Sequence, residues 1–401
     1  MYFMIFPSRT VFACDVGAGG HDRTSRRDSL AFMTAPPATS GTSNQRIQRY
    51  GATSTALALL SNRQLGRVLD AQPLLGNGIG GTSALLNIDG TPVFAKRIPL
   101  TDLERRAENV MSTANLFDLP PYCHYGVGSA GGGVWRELAA HTMTTNWVLS
   151  GQSESFPLMY HWRLLTEPGA TPPPRGEPGS LDELVEYWHG SDAVRHRLVA
   201  LSRATASMVL FLEYVPQNVD HWLRDQLARG DEALEAACAM VEAGLRDDVS
   251  YMNANGLFHF DAHFGNVLTD GRRLYLTDFG LATSTRFELS AAECEFVDAN
   301  RSHDGCYAIM RLVNWLVSAL VKPADTVERN AYIRRVASGP AASRVPPWAA
   351  EIIARYAPVA VVMNDFYWSL FGESRKTPYP TAEIERACAE AGFSPITAPV
   401  S

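Results

Sequence analysis

The sequence predicts a mixed α+β protein with strands in its first half and helices in its second. Two observations predict it. Up to about residue 216 the apolar residues fall in short runs separated by Gly, Pro and Asp, whereas from residue 231 they recur at helical spacing over longer stretches. A chain of 401 residues, 46% of them hydrophobic, can bury one large bilobal core or two ordinary domains.

Composition narrows the function classes. A net charge of −7 gives no general basic footprint, so nucleic acid and anionic membranes are not expected partners. Cys14, Cys123, Cys238, Cys294, Cys306 and Cys388 form neither a CxxC pair nor a Cys/His cluster and read as reduced thiols. The apolar opening at residues 2–6 has no basic residue before it, and no later run approaches the roughly 18 to 20 apolar residues that span a bilayer. A cytoplasmic protein without a membrane span is the expectation.

Residues 1–48 mix Gly, Ser, Thr, Pro and charge without a sustained apolar period and read as disordered, with Met33 an alternative start. Periodicity begins at Tyr50. Gly76-Asn77-Gly78-Ile79-Gly80-Gly81 is a GxGxxG whose glycines let backbone N–H groups approach a polyphosphate. A dinucleotide-binding fingerprint would open a helix after its last glycine; here residues 84–88, an Asp89-Gly90 turn and residues 93–98 make a hairpin instead. Lys96, inside the second strand, is within reach of an ATP phosphate.

A helix over residues 102–117 opens with the capping box Thr101-x-x-Glu104 and carries Glu108; a second helix, over 134–149, carries Glu137. A strand over 156–165 follows. Residues 166–206, with Pro172-Pro173-Pro174, read as an insertion, and 208–216 as a buried strand. A long amphipathic helix over 231–255, with Leu234, Val241, Leu245, Val249 and Met252 on its apolar face, stops at Gly256.

The next stretch concentrates the chemistry. His259-Phe260-Asp261-Ala262-His263-Phe264-Gly265-Asn266 is followed by a short hairpin turning at Asp270-Gly271 and then by Asp278-Phe279-Gly280. The loop puts a carboxylate and an amide on one tight turn, as phosphoryl transfer requires: Asp261 to orient the acceptor hydroxyl and take its proton, Asn266 as a metal ligand. Asp278 supplies the other ligand. Mg²⁺ prefers oxygen ligands and keeps substrate phosphates in its shell, so one carboxylate and one amide suffice. Beyond, Ser302-His303-Asp304-Gly305 opens an apolar helix, and further helices are expected over 327–336, 348–356, 359–371 and after Thr381. The aromatic cluster Tyr356, Phe366, Tyr367, Trp368 and Phe371 reads as core packing.

In this order, the GxGxxG hairpin, Lys96, the HxDxxxxN loop and Asp278-Phe279-Gly280 resemble the protein-kinase-like superfamily. The likeness runs from about residue 74 to beyond Asp304 and implies a bilobal fold, a small β-rich lobe over 49–212 and a larger helical lobe over 213–401. It also implies roles. Lys96 would contact the α- and β-phosphates of ATP and pair with a helix glutamate, for which element order favours Glu137 with Glu108 in reserve. Gly76, Gly78 and Gly81 would cover the phosphates, the backbone from Glu213 to Val215 would meet adenine, and Asp304 would brace the catalytic loop.

Departures from the family pattern bear on the acceptor. Phe260 stands where regulated protein kinases carry the arginine that pairs with an activation-loop phosphate, which argues against that switch. His263 gives HxDxHxxN, more like aminoglycoside and choline kinases, and no Ala-Pro-Glu element lies between Gly280 and Asp304. The GxGxxG hairpin and Asp278-Phe279-Gly280-Leu281-Ala282 are closer to protein kinases. The leading expectation is an ATP- and Mg-dependent kinase acting on Ser or Thr of a protein; a small-molecule kinase and a nucleotide-binding pseudokinase or scaffold are the alternatives.

Overall fold

The computed structural model describes residues 43–78, 81–126, 129–166, 181–339 and 345–395, which form a mixed α+β fold. Helices α1 (Ser43–Leu59) and α2 (Asn62–Asp70) precede strands β1 (Leu74–Gly78), β2 (Gly81–Ile88) and β3 (Thr91–Leu100). One helical turn, α3 (Asp102–Arg105), leads through irregular backbone to α4 (Val134–Leu149), β4 (Met159–Thr166), α5 (Leu181–Tyr187), α6 (Asp192–Ser202) and β5 (Ala206–Glu213). The strands make one antiparallel sheet in the order β1-β2-β3-β5-β4.

The continuous apolar run of β5 follows from its place inside the sheet, covered on both faces. Met208, Leu210 and Leu212 share a cluster with Trp135 and Leu138 of α4, while the alternating Val209 and Phe211 join the cluster containing Leu57 of α1 and Leu65 of α2. Lys96 sits on β3 opposite Ser83 and Leu210, on the face that α4 covers.

The rest of the chain is mainly helical. It runs through β6 (Gln217–Asn218), α7 (Val219–Arg229), α8 (Asp231–Ala254), β7 (Leu257–Phe258), β8 (Val267–Thr269), β9 (Leu274–Leu276), β10 (Thr283–Ser284) and α9 (Ala291–Ala299). It closes with α10 (His303–Leu316), α11 (Thr326–Ala337), α12 (Pro347–Gly372) and α13 (Thr381–Glu390). Strands β6, β8 and β9 form a small sheet, and β7 pairs with β10. Helices α8, α10 and α12 build the core around Val249, Leu312, Val313 and Ala357. Asn314 of α10 and Asn364 of α12 exchange amide hydrogen bonds of 2.8 and 3.0 Å, which satisfies two buried polar side chains.

Some expectations are corrected. Residues 43–48, read as disordered, belong to α1, where Arg46 forms a 2.6 Å ion pair with Glu213; polar composition hid a helix that is held by tertiary contacts. Residues 1–42, with Cys14 and Met33, lie outside the described residues. The helix expected over 102–117 stops after one turn. Its capping box forms, but Arg106 turns extended, Asn109 Nδ2 takes the Leu103 carbonyl, and exposed Val110 and Met111 provide no apolar face to hold a longer helix.

Conversely, α12 runs straight through Pro358, because Ile353, Ala357, Val359 and Met363 are buried around it and their packing offsets the lost backbone hydrogen bond. In the stretch read as an insertion, Val185, Trp188, Val194 and Leu198 of the α5–α6 region pack on Leu119, Cys123 and Ala130; Pro172-Pro173-Pro174 lie outside the described residues. Helix α10 with the wider turn after it, His303–Val321, is long and apolar enough by length and composition to cross a membrane, and 72% of that stretch is buried inside the fold.

Candidate active site

Helix α8 ends at Gly256, whose φ of 76° favours glycine, and β7 then leads into the loop 259–266. Asp304, buried in the first turn of α10, holds that loop. Its Oδ2 accepts from His259 N (2.6 Å) and Asn253 Nδ2 (2.9 Å), and its Oδ1 from Phe260 N (2.8 Å). Burial pushes the carboxyl up, but His303 and the surrounding donors bring it below the ordinary range, so it is a carboxylate. Phe260 has φ 60°, a costly conformation for a bulky residue; the two backbone contacts of Asp304 and the rings of Phe296 and His303 keep it there.

Within the loop, Asn266 Nδ2 donates to the Asp261 backbone oxygen (3.0 Å) and to Asp261 Oδ2 (3.2 Å). In this orientation Asn266 Oδ1 has no hydrogen-bond partner among the described residues and could serve as a metal ligand. Burial first, and the negative charge of Asp278 second, push the Asp261 carboxyl up to about 8, with Arg311 opposing. His263, lowered to about 4 by burial and by Arg311, is a neutral imidazole accepting from Gly265 N at 3.0 Å. His259 Nε2 meets the Thr277 carbonyl at 2.8 Å, and Thr277 N donates to Asn266 O, so the loop and the approach to Asp278 are stitched together.

Lys96 Nζ lies 2.6 Å from Glu137 Oε1 and 2.7 Å from Asp278 Oδ1. Burial would lower the ammonium, but Asp278 and Glu137 together raise it, and Lys96 in turn holds Asp278 below the usual range although its carboxyl is partly desolvated. Glu137 moves the other way: burial raises it, and Lys96 only partly offsets that because the like charge of Asp278 adds to the rise. One ammonium shared by two carboxylates cannot balance both. Glu108, the reserve partner, is exposed on a separate turn and does not reach Lys96.

The leftover negative charge bears on metal binding. Asp278 keeps a left-handed backbone (φ 64°), and its side chain is 47% exposed, so its second oxygen is available while the first holds Lys96. No cluster of three or more His, Cys, Asp or Glu side chains suited to a metal occurs among the described residues. Asp278 and Asn266 Oδ1 nonetheless fit Mg²⁺, which takes few protein oxygens and completes its shell with water and phosphate.

On the sheet side, β1 and β2 form the glycine hairpin, with Gly78 paired to Gly81 and with Ile79 and Gly80 outside the described residues. A Cβ on Gly81 would fall 1.9 Å from the Arg97 carbonyl oxygen, so strand packing alone demands glycine there, whatever lies above it. Glu213 N donates to Leu158 O (2.7 Å), and the Glu213 carboxylate is occupied by Arg46, while the N–H groups of Tyr214 and Val215 both meet no backbone carbonyl among the described residues.

Sequence reasoning missed several supports. Arg46 ties α1 to Glu213 and donates to the Glu154 and Phe156 carbonyls. Arg197 of α6 pairs with buried Glu104 at 3.0 Å, and Glu104 Oε1 accepts from Val134 N at the start of α4, so the supposed insertion steadies the helix carrying Glu137. Arg136 meets Glu293 of α9. Arg311, seven residues after Asp304 on the same face of α10, has a buried Nε without a hydrogen-bond partner. The capping box Ser290-x-x-Glu293 was the one available signal for α9. No protein-family model matches the chain, and no curated protein does.

Proposed function

We propose that the chain is an ATP- and Mg-dependent phosphotransferase with a bilobal protein-kinase-like fold, acting on a hydroxyl, with protein Ser or Thr as the leading acceptor. The observation that carries this reading is the junction at Lys96, where residues 41 and 182 positions away converge within 2.7 Å of one ammonium, next to a loop presenting Asp261 and Asn266. Lys96 would hold ATP phosphate oxygens, kept in place by Glu137. Asp261 would orient the acceptor hydroxyl and receive its proton. Asn266 Oδ1 and Asp278 would hold Mg²⁺, which when bound supplies the positive charge that neutralises charge developing on the transferred group. The Val215 N–H would meet adenine.

A small-molecule alcohol is the second reading. It is favoured by the brevity of the stretch between β10 and α9, which folds back on the body through Glu288 N to Thr113 Oγ1 and buried Phe287 and so offers little open platform for a peptide. Transfer from γ-labelled ATP with Mg²⁺ tests both, using wild type and Asp261→Asn against the protein itself, generic proteins and a panel of small alcohols. Label on protein that vanishes in Asp261→Asn supports the leading reading, and label only on an alcohol supports the second. ATP binding without transfer to any acceptor would move the chain to a pseudokinase role.

A further inference from the structure

The stretch after Asp278 is fastened to the rest of the molecule by several groups of this chain. Gly132 N, just before α4, donates to Gly280 O (3.0 Å), and His124 Nδ1 meets Leu281 O (2.8 Å). Phe296 of α9 packs on Phe260 at 5.2 Å, so the catalytic loop grips this stretch through an aromatic contact. Arg136 of α4 lies 2.7 Å from Glu293 of α9, each side chain 3% exposed, and its Nε donates to Thr113 O (2.7 Å). The contact runs from Arg136 Nη1 to Glu293 Oε1, and despite burial Arg136 holds the Glu293 carboxyl below its ordinary range. Glu293 Oε2 is meanwhile fixed by Ser290 N and Ser290 Oγ, both at 3.0 Å.

Arg136 is the neighbour of Glu137 on α4. Rotating or sliding α4 enough to take Glu137 away from Lys96 would therefore pull a buried guanidinium off a buried carboxylate, a costly separation. Where a kinase-like enzyme is switched by phosphorylation, an added phosphate supplies the anion that orders this region. Here Glu293 already supplies a buried anion, and Thr283 and Ser284 nearby are themselves buried.

We propose that Arg136 and Glu293 are positioning residues whose ion pair sets α4 so that Glu137 meets Lys96 without any phosphate being added to the chain. This rests on the phosphotransferase reading for its effect on turnover, but the tie can be tested separately. Glu293→Gln keeps the shape and removes the charge; Ser290→Ala removes one donor to Glu293 and leaves both charges, a milder change that protects against misfolding. Hydrogen–deuterium exchange is followed over residues 131–138 and 281–293. Transfer from γ-labelled ATP is measured on protein co-expressed with a phosphatase and shown by intact mass to carry no phosphate.

Phosphate-free wild type is expected to transfer. Glu293→Gln should exchange about ten-fold faster in both segments and lose about ten-fold in kcat, with KM for ATP changing by less than about three-fold; Ser290→Ala should move the same way by about two-fold. Wild type that transfers only after phosphorylation would overturn the proposal, as would Glu293→Gln with wild-type exchange. The exchange measurement needs no turnover, so it decides the tie even if absence of transfer defeats the phosphotransferase reading.

Discussion

Replacing Lys96 with Met removes the only cation within ion-pair distance of Glu137 among the described residues, while leaving a carboxyl group that is 4% exposed and faces Asp278. Removing one partner of a buried pair costs about 3–5 kcal/mol, because the remaining charge is stranded. The direction with pH follows from the signs. Burial and Asp278 both raise the carboxyl, and without Lys96 nothing described opposes them, so the folded pKa of Glu137 lies above its unfolded value. Stability from the protonated form is then fully present below the unfolded pKa and is lost as pH rises through the folded one. The deficit of Lys96→Met relative to wild type should already be present near pH 5, where the lost contact to Asp278 counts, and grow with the Glu137 charge to about 3–5 kcal/mol by pH 8, a shift of roughly 1 M or more in the urea midpoint. Lys96→Met combined with Glu137→Leu should recover most of it. Urea unfolding followed by tryptophan fluorescence at both pH values is the assay. A deficit below about 1 kcal/mol, or one that does not change with pH, would refute the claim that the ammonium is what keeps Glu137 charged in the core.

Three further outcomes are expected. Asp304→Asn presents an amide where His259 N and Phe260 N need an acceptor, so it should lower stability by about 2–3 kcal/mol and slow any transfer, read by thermal unfolding and the labelled-ATP assay. Arg46→Ala strands the Glu213 carboxylate, 11% exposed, and should cost about 3 kcal/mol, read by thermal unfolding. Burial, with Arg136 adding to it, lowers His124 from 6.5 to about 4 despite its bond to the Leu281 carbonyl. The fold therefore keeps this ring neutral, and its contribution is present above pH 6.5 and lost as pH falls toward 4, by about 1.4 kcal/mol per pH unit. His124→Gln should flatten that part of the acid unfolding curve.

What was legible in the sequence was whatever is local. The glycine hairpin, the strand carrying Lys96 and the 259–266 loop each depend on residue types at fixed short spacing, and α4 and α8 announce themselves by period and by their flanking glycines. The choice of Glu137 over Glu108 came from element order, and in the structure Glu137 is the one against Lys96. The rest depends on partners far along the chain. Nothing near Arg46 marks it as the counter-ion of Glu213, Pro358 reads as a break until α10 is seen packed on α12, and the capping box at Thr101 promised a helix that its own polar sequence could not sustain. Nor does anything local mark Arg136 and Glu293 as partners, since pairing across 157 positions leaves no local trace.

The docking of α1 also has a consequence for how the chain is made. Arg46 leaves the ribosome 167 residues before Glu213, an interval of roughly 8 to 33 seconds at about 5–20 residues per second. Tyr275, whose ring lies beneath the guanidinium at 5.3 Å, follows later still. During that time the sheet that Leu57 covers lacks β5, whose Val209 and Phe211 share its cluster, and most of a helix's stability in a protein comes from such packing. The ion pair that fastens α1 can therefore close only once Glu213 has been made, and nascent chains arrested before residue 213 should leave the Arg46 end of the helix more open to proteases.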